Sequence, residues 1–336
     1  MEEADWTRVV SAAIRAPSIH NTQPWRFDAT ADRLHLFRDR DRALPVLDPS
    51  GRQQVISCGL AVAFTVVALR GDGHDAVVEL LPDPGDPDHL ATVRLTGPCD
   101  ASEQDRTLAG AIAQRHTVRS PFEPRAVPVE LVDQLQAEAG HYGVWIKPIT
   151  RSDEEMATVF LISRAEEMEQ GDPAYLAELA AWLRTDPDAI DGVPVDSVPS
   201  GDPHERPSNW LIRDFVAGSR EPQLFHGGGD PDAPPPEVER PTVLLVGTEN
   251  DDAYAWLQVG RALGRLLLHA TAEGVAVSPM TQALDWPATR QRLRSRLFLI
   301  GHAQMLLRMG YPPSGFTPVD TGRRPVADVL RFTPAG

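Results

Sequence analysis

The sequence predicts an α+β fold built from two similar halves. The first observation is a pair of long, almost wholly apolar stretches at 53–73 and 256–274, each of which ends in glycine, as a buried helix often does. Set side by side without a gap, the stretches match Gly59 with Gly260, and these glycines indicate that the helices approach each other closely. The second observation is that helix and strand patterns mix in both parts of the chain, which favours the α+β class.

The first half, residues 1–100, begins with a helix pattern at 5–16 in which apolar residues recur at helical spacing. Pro17 ends this helix, because proline disfavours the helical conformation of the residue before it and has no N–H to donate. The predicted elements that follow are a strand at 33–39, the buried helix at 53–73, and strands at 76–82 and 91–97.

The second half, residues 101–336, repeats this mixture after a boundary near 98–105. Its helix at 128–140 carries Pro128 in the first turn and Glu130 near the positive end of the helix dipole, as helix starts favour. The other predicted elements are a helix at 108–114, a strand at 144–150, a strand at 241–248, the buried helix at 256–274 and a strand at 305–311.

One segment, residues 185–240, has no counterpart in the first half. It is dense in proline, glycine and aspartate, with a short apolar helix pattern in its middle. Long loops in compact domains are usually functional covers or linkers, and the sequence leaves both alternatives open. Four apolar side chains favour a lid: Trp210, Leu211, Ile212 and Phe215.

Composition limits the classes of function. The formal net charge of −16 over 336 residues argues against nucleic acid or an anionic membrane as a general partner. The two cysteines form no motif, and Cys58 lies in an apolar run typical of the core. The acidic N-terminus is unlike a signal peptide, and the longest apolar run, 14 residues ending before Arg70, is too short to span a bilayer. We therefore expect a cytoplasmic protein.

Two short stretches carry the chemistry. Residues 16–27, "APSIHNTQPWRF", form a loop with many donors and acceptors but no fixed charge before Arg26, which suits contact with a large neutral polar ring system. Residues 115–119, "RHTVR", gather two arginines, a histidine and a hydroxyl on an otherwise acidic protein. They form either a phosphate cradle or a basic turn that closes a helix against its dipole.

Taken together, "PSIHNTQPW" and "RHTVR" resemble the two FMN-contacting signatures of the nitroreductase family, a PSxxNxQPW loop and an RRSxR stretch. The resemblance continues through 127–139, the two apolar helices and the segment from Met305 to Leu330, and so covers most of the chain outside 185–240. In an ordinary family member the arginine stretch precedes the loop within one repeat, and the flavin lies between two identical subunits. Here each half keeps one of the two motifs. This layout resembles the Acg-type proteins of actinobacteria, in which a single chain imitates the dimer and an extra segment covers the flavin.

The resemblance implies a role for each matching residue. The phosphate and ribityl contacts would be Arg115, His116, Thr117 and Arg119, joined by Arg323 or Arg324. The flavin ring would rest against Pro17, Ser18, Ile19, Asn21 and Gln23, and the loop beside flavin N5 would contain Pro279, Met280 and Thr281. His116 and Thr117 depart from the commoner arginine and serine, although both side chains can still donate hydrogen bonds.

The function implied is an FMN-dependent oxidoreductase that uses NADH or NADPH to reduce a small electron acceptor such as a nitro compound or a quinone. The alternative is a protein that holds FMN under a cover with little turnover, and the sequence leaves the two open. One FMN per chain is expected, in a monomer that imitates the dimer or in a weak dimer. A metal-dependent hydrolase is disfavoured, since the ten histidines show no metal-binding spacing.

Overall fold

The computed structural model of the protein describes residues 1–197 and 239–334. The helices and strands up to residue 114 are α1 (Glu3–Ala13), β1 (Trp25–Ala29), β2 (Arg33–Arg38), α2 (Arg52–Gly71), β3 (His74–Leu80), β4 (His89–Pro98) and α3 (Glu103–Gln114). Apart from β1, for which no strand was predicted from the sequence, they follow the order that the hydrophobic patterns predict.

Further elements belong to the rest of the chain. In order they are α4 (Val129–Gly140), β5 (Val144–Pro148), α5 (Ser152–Gln170), α6 (Pro173–Trp182), β6 (Leu183–Arg184), β7 (Val193–Pro194), β8 (Thr242–Thr248), α7 (Ala253–Ala272), β9 (Ala276–Pro279), α8 (Gln282–Asp285), α9 (Pro287–Arg296), β10 (His302–Gly310), α10 (Val326–Val329) and β11 (Leu330–Phe332). The mixture of helix and antiparallel strand confirms the predicted α+β class.

The strands form two main sheets with matching topology. The first sheet has the order β11-β1-β2-β4-β3, and the second has the order β5-β8-β10-β9. Apart from β11, all neighbours in both sheets are antiparallel. The helix-strand-strand-helix-strand-strand order of α1 to β4 therefore recurs in the second half, with the same strand order in its sheet. This agreement supports an internal duplication, which stays a prediction.

The last strand lies in the sheet of the other half. β11 pairs in parallel with β1, with Phe27 opposite Leu330. The segment that contains Leu330 was assigned to 101–336 in the sequence, yet its strand forms the edge of the first sheet. Three residues are too few to show a period, so the pattern of hydrophobicity gave no sign of this pairing.

The two long helices cross at glycine, as the matched sequences predict. A Cβ atom built on Gly59 would lie 2.9 Å from the Cα of Gly260, and one built on Gly260 would lie 2.7 Å from the Cα of Gly59. The neighbouring Gly264 faces Ala63 in the same seam. One buried apolar cluster includes residues of α2, α7 and both sheets, so the two halves share a single core.

The apolar side chains of α2 are buried in the core of the fold. In the part of the chain that the structure describes, α2 is the one helix long and apolar enough for a membrane span, and 78% of its apolar window is buried. Cys58 lies fully buried on this helix, as expected of a core residue, and burial raises the pKa of its thiol.

The segment between β5 and β8 contains more than the sequence predicts. Helices α5 and α6 and the short strands β6 and β7 precede residue 197, so the added structure begins well before 185. Most of the proposed lid or linker lies outside the described residues. Its four apolar side chains are among these: Trp210, Leu211, Ile212 and Phe215.

Candidate functional site

Two adjoining cavities lie where residues of both halves meet. We call them the apolar cavity and the cationic cavity. Their shared wall contains Pro17, Ser18, Arg115, Thr117 and Arg119. The two motifs that lie about a hundred residues apart in sequence are therefore neighbours in the fold.

The loop after α1 is held in an unusual backbone conformation. His20, Asn21 and Gln23 have φ angles of 45°, 52° and 49°, in the left-handed region that side chains other than glycine rarely adopt. Ser18 fixes the turn, since its hydroxyl accepts a hydrogen bond from the backbone N–H of Gln23 at 2.9 Å. The hydroxyl of Ser57, on α2, accepts from the N–H of Ile19 at 3.1 Å. Such strain persists only where the surroundings enforce it, and it concentrates at functional sites.

Gln23 supports this loop from within. Its side chain is fully buried, its amide nitrogen donates to the carbonyl of Ile190 at 2.8 Å, and its amide oxygen accepts from the backbone N–H of Arg324 at 2.8 Å. The guanidinium of Arg324 donates in turn to the carbonyl of Gln23 at 3.2 Å and to Asp39 at 3.4 Å. Neither side chain lines either of the two cavities, and both support the loop through these hydrogen bonds; their contact with a ligand stays a prediction.

The remaining residues of the loop reach the cavities. Pro17, Ser18 and Ile19 line the apolar cavity, and their contact with a flavin ring stays a prediction. Asn21 lines the cationic cavity instead, and its amide nitrogen donates to the carbonyl of Gly322 at 3.1 Å. Asn21 therefore shares a cavity with the arginine cluster, whereas the resemblance implies that it contacts the flavin ring.

The cationic cavity contains a buried arginine cluster. Arg115 is 7% exposed, and among the described residues it forms no salt bridge and its Nε has no hydrogen-bond partner. Arg323 donates to backbone carbonyls, including that of Ile14 at 2.7 Å, and forms no salt bridge in the described ranges, although the nearby carboxylate of Asp320 acts to raise its pKa against the larger effect of burial. Burial, together with neighbouring cations, lowers the pKa of Arg115 to about 9 and that of Arg323 to about 10, with Arg15 contributing to both shifts. A buried cation with an orphaned N–H, beside two further cations, is a site prepared for an anion.

The rest of the "RHTVR" stretch borders the same space. Thr117 forms a backbone bridge to Val277 of β9, which ties the stretch to the second sheet. Arg119 donates to the hydroxyl of Ser197 at 3.2 Å. His116 lies with its Nδ1 2.8 Å from the carbonyl of Gln114, so Nδ1 carries a proton and donates. Burial lowers the pKa of His116, which leaves its Nε2 an acceptor at neutral pH, and donation to an anion would require the protonated ring.

The apolar cavity lies between the crossing helices and the second sheet. Its apolar walls are formed by Ile56, Leu60, Leu263, Leu267, Val277, Met305 and Leu307. Pro279, Met280 and Thr281 also line it, and the hydroxyl of Thr281 donates to Asp285 at 3.0 Å. This shape suits a flat ring system whose anionic end lies in the cationic cavity.

Sequence reasoning missed several polar residues that line the apolar cavity, which are His20, Gln53, Ser57, Ser278, Gln282 and Arg308. Gln53 and Ser57 lie one helical turn apart on α2 and face the apolar cavity. The amide of Gln53 donates to Asp285 at 3.0 Å, so the same carboxylate holds both Gln53 and Thr281. Two polar residues four apart in an apolar helix were a usable signal, since such residues share a face.

The residues that the structure describes offer no metal site. Within 1–197 and 239–334, no three or more histidine, cysteine, aspartate or glutamate side chains are grouped so that they could hold an ion.

Comparisons with known proteins give the family. Two relatives from Mycobacterium tuberculosis bear provisional names as NAD(P)H nitroreductases. One is 35% identical over 328 residues, covering 96% of this chain and 90% of the relative. The other, acg, is 32% identical over 328 residues, covering 96% of this chain and 93% of the relative. The chain therefore belongs to the nitroreductase family. Within it, the chain is grouped with the Acg-type proteins.

Two further comparisons complete these results. No family model matches the chain. Among solved structures, the FMN-dependent nitroreductase NfnB from Mycobacterium smegmatis in complex with NADPH has a TM-score of 0.40 and 17% identity, covering 69% of this chain and 100% of that chain. At these values the family assignment rests on the mycobacterial relatives.

Proposed function

We propose that this chain binds one FMN across the two cavities and uses NADH or NADPH to reduce nitro compounds or quinones. The observation that carries the proposal is the buried cluster of Arg115 and Arg323, which form no salt bridge among the described residues and line the cationic cavity beside the apolar one. The names of the mycobacterial relatives support the choice of a nicotinamide reductant.

The proposed contacts differ in part from the matched motif. Arg115, Thr117, Arg119 and Arg323 would hold the phosphate, with His116 joining them when protonated. Pro17, Ser18 and Ile19 would contact the ring from one side, and Pro279, Met280 and Thr281 from the other. Gln23 and Arg324 would support the loop without touching the ligand.

FMN, when bound, supplies the acceptance and transfer of hydride. The protein would then bind the FMN, orient its ring and exclude water from it. The arginine cluster would fix the phosphate through charge-assisted hydrogen bonds. The apolar walls from α2 and α7 would leave little room for water beside the ring, and Asp285 keeps the hydroxyl of Thr281 in a defined direction.

A second candidate is a protein that sequesters FMN with little turnover. It rests on the sequence of 185–240, whose apolar middle lies outside the described residues. Stopped-flow mixing of the holoprotein with NADH and with NADPH separates the two candidates. Rapid flavin reduction followed by reoxidation with a nitroaromatic or a quinone supports the enzyme. Slow reduction that becomes faster when residues 200–235 are replaced by a short Gly/Ser linker supports sequestration.

The stoichiometry tests the proposed two-half arrangement. One complete pair of motifs per chain predicts one flavin per chain, whether the chain is a monomer or a weak dimer. Acid release of flavin gives the ratio, and light scattering gives the mass of the particle. A ratio near two flavins per chain would reject the single site. The cytoplasmic location stays a prediction.

A further inference from the structure

One buried ion pair adjoins the arginine cluster, and its arginine, Arg308, also lines the apolar cavity. Arg308 on β10 and Glu239, at the start of the chain that leads into β8, have fully buried side chains with N–O distances of 2.6 and 2.7 Å. A buried pair is costly to desolvate and is often replaceable by apolar residues without loss of stability. Its presence here therefore calls for a reason other than stability.

The contacts of the pair point to the loop after Thr117. The carboxylate of Glu239 accepts the backbone N–H of Phe122 at 2.6 Å. The second guanidinium nitrogen of Arg308 donates to the carbonyl of Ser120 at 2.9 Å and to that of Arg119 at 3.4 Å. Backbone groups of three residues from Arg119 to Phe122 are thus bound by one ion pair.

The ring of Phe122 completes this attachment. The guanidinium carbon of Arg308 lies 4.4 Å from the ring centroid, a cation–π distance. On β10, Gly310 leaves room for the ring, since a Cβ built there would lie 2.6 Å from ring atoms of Phe122. The loop is therefore fixed on its side next to β10, and the bridge from Thr117 to Val277 fixes it next to β9.

We propose that Glu239 is a positioning residue for the anion site, acting through Arg308 and the backbone of 119–122. This inference rests on the proposed function, because the anion is taken to be the phosphate of FMN. A loop held at both ends keeps Arg119 in place before the ligand arrives, so less conformational entropy is lost when the phosphate binds. Glu239 also joins the segment 185–240 to the loop that carries the phosphate contacts.

The test compares affinity for FMN with affinity for riboflavin, which lacks the phosphate. In Glu239→Gln we expect FMN affinity to fall on the order of tenfold while riboflavin affinity stays within about threefold. A role confined to general folding would lower both affinities alike. The control is Glu138→Gln, which alters a carboxylate that pairs with Arg265 and His269 away from both cavities and should change neither affinity.

A second variant covers the case in which the single substitution unfolds the protein. Glu239→Gln combined with Arg308→Met removes both charges, so no unpaired ion remains buried, yet the carbonyls of 119 and 120 lose their donor. It should fold and show the same loss of FMN preference. Hydrogen exchange of the ligand-free protein provides a readout independent of flavin, and the amide of Phe122, which donates to Glu239, should exchange about tenfold faster in both variants.

The outcomes separate the two proposals. If the wild type binds FMN no more tightly than riboflavin, the proposed function fails. If the wild type prefers FMN and both Glu239 variants keep that preference, with unchanged exchange of the Phe122 amide, the positioning role alone is overturned. Loss of the preference together with faster exchange supports it.

Discussion

Gly59 of α2 and Gly260 of α7 lie in direct backbone contact, each occupying the space that a Cβ of the other would need. Because the atoms on the far side are backbone, no side-chain movement can make room. We expect Gly260→Ala to lower the free energy of unfolding by about 3 kcal/mol through overpacking. The matched control is Gly110→Ala in α3, where nothing lies within 4 Å of the new Cβ. The free energy of unfolding of this variant should rise by about 0.5–1 kcal/mol. Urea denaturation of both variants measures the contrast, and equal losses would contradict it.

The arginine cluster predicts opposite effects on binding and on stability. Arg115→Met keeps most of the volume but removes a buried cation that has no carboxylate partner in the described ranges. We expect the variant to bind FMN more weakly, with a loss of about 1.5–3 kcal/mol of binding free energy. The ligand-free variant should be at least as stable to unfolding as the ligand-free wild type. Fluorescence titration and thermal unfolding measure the two effects. Arg106→Met, on the surface of α3, is the control that should change neither. An unchanged FMN affinity would refute the anion site.

Asp48 predicts a pH dependence of stability. Burial raises the pKa of its carboxyl from 3.8 to about 6, although the backbone N–H of Gln54 donates to it at 2.9 Å. The folded protein keeps this proton up to about pH 6, whereas the unfolded chain releases it near pH 3.8. The stability due to this proton is therefore present below pH 3.8 and is lost as the pH rises through about 6, a change of about 3 kcal/mol.

The measurement for Asp48 is the free energy of unfolding from pH 4 to pH 7. Asp48→Asn has no titrating carboxyl. Its free energy of unfolding should therefore rise relative to that of the wild type as the pH increases. The exposed Asp41→Asn should instead run parallel to the wild type. Parallel curves for Asp48→Asn would show that its carboxyl titrates normally.

Gln23 is expected to behave as part of the scaffold. Gln23→Leu leaves the carbonyl of Ile190 and the N–H of Arg324 without their partner, which should cost about 1–3 kcal/mol of folding stability. Because Gln23 lines neither cavity, the absorption band of bound flavin should keep its position. Gln134→Leu on the exposed face of α4 should stay within about 0.5 kcal/mol of the wild type. A shifted band with unchanged stability would restore Gln23 to the ring contacts.

The sequence predicted those parts of the fold whose signals are local. The long helices and their glycine contact follow from composition and from the match of Gly59 with Gly260. The pairing of β11 with β1 depends on residues 303 positions apart and has no local pattern. The helices α5 and α6 were also missed, although α6 has Pro at its start and an aspartate, Asp172, that caps it.

At the site, the sequence identified the two motifs correctly as neighbours, but it did not show which residue of each motif faces a cavity. The loop of Pro17 and the stretch from Arg115 do meet at one pair of cavities. Whether a side chain faces a cavity or the protein interior depends on tertiary partners, so the sequence alone could not show that Gln23 and Arg324 lie outside the lining of both cavities. The same cause concealed Gln53, whose partner Asp285 lies 232 residues away.

The parallel pairing of β11 with β1 also affects the order of events during translation. Asp28 of β1 can form its ion pair with Arg331 only after the ribosome has synthesised a further 303 residues. At about 5–20 residues per second, a ribosome needs roughly 15–60 s to supply that partner. During this interval the nascent first sheet presents an open edge, which is prone to pair with other chains. A chaperone that shields the emerging polypeptide would act in that window, and a stalled or prematurely terminated product would keep the exposed edge permanently.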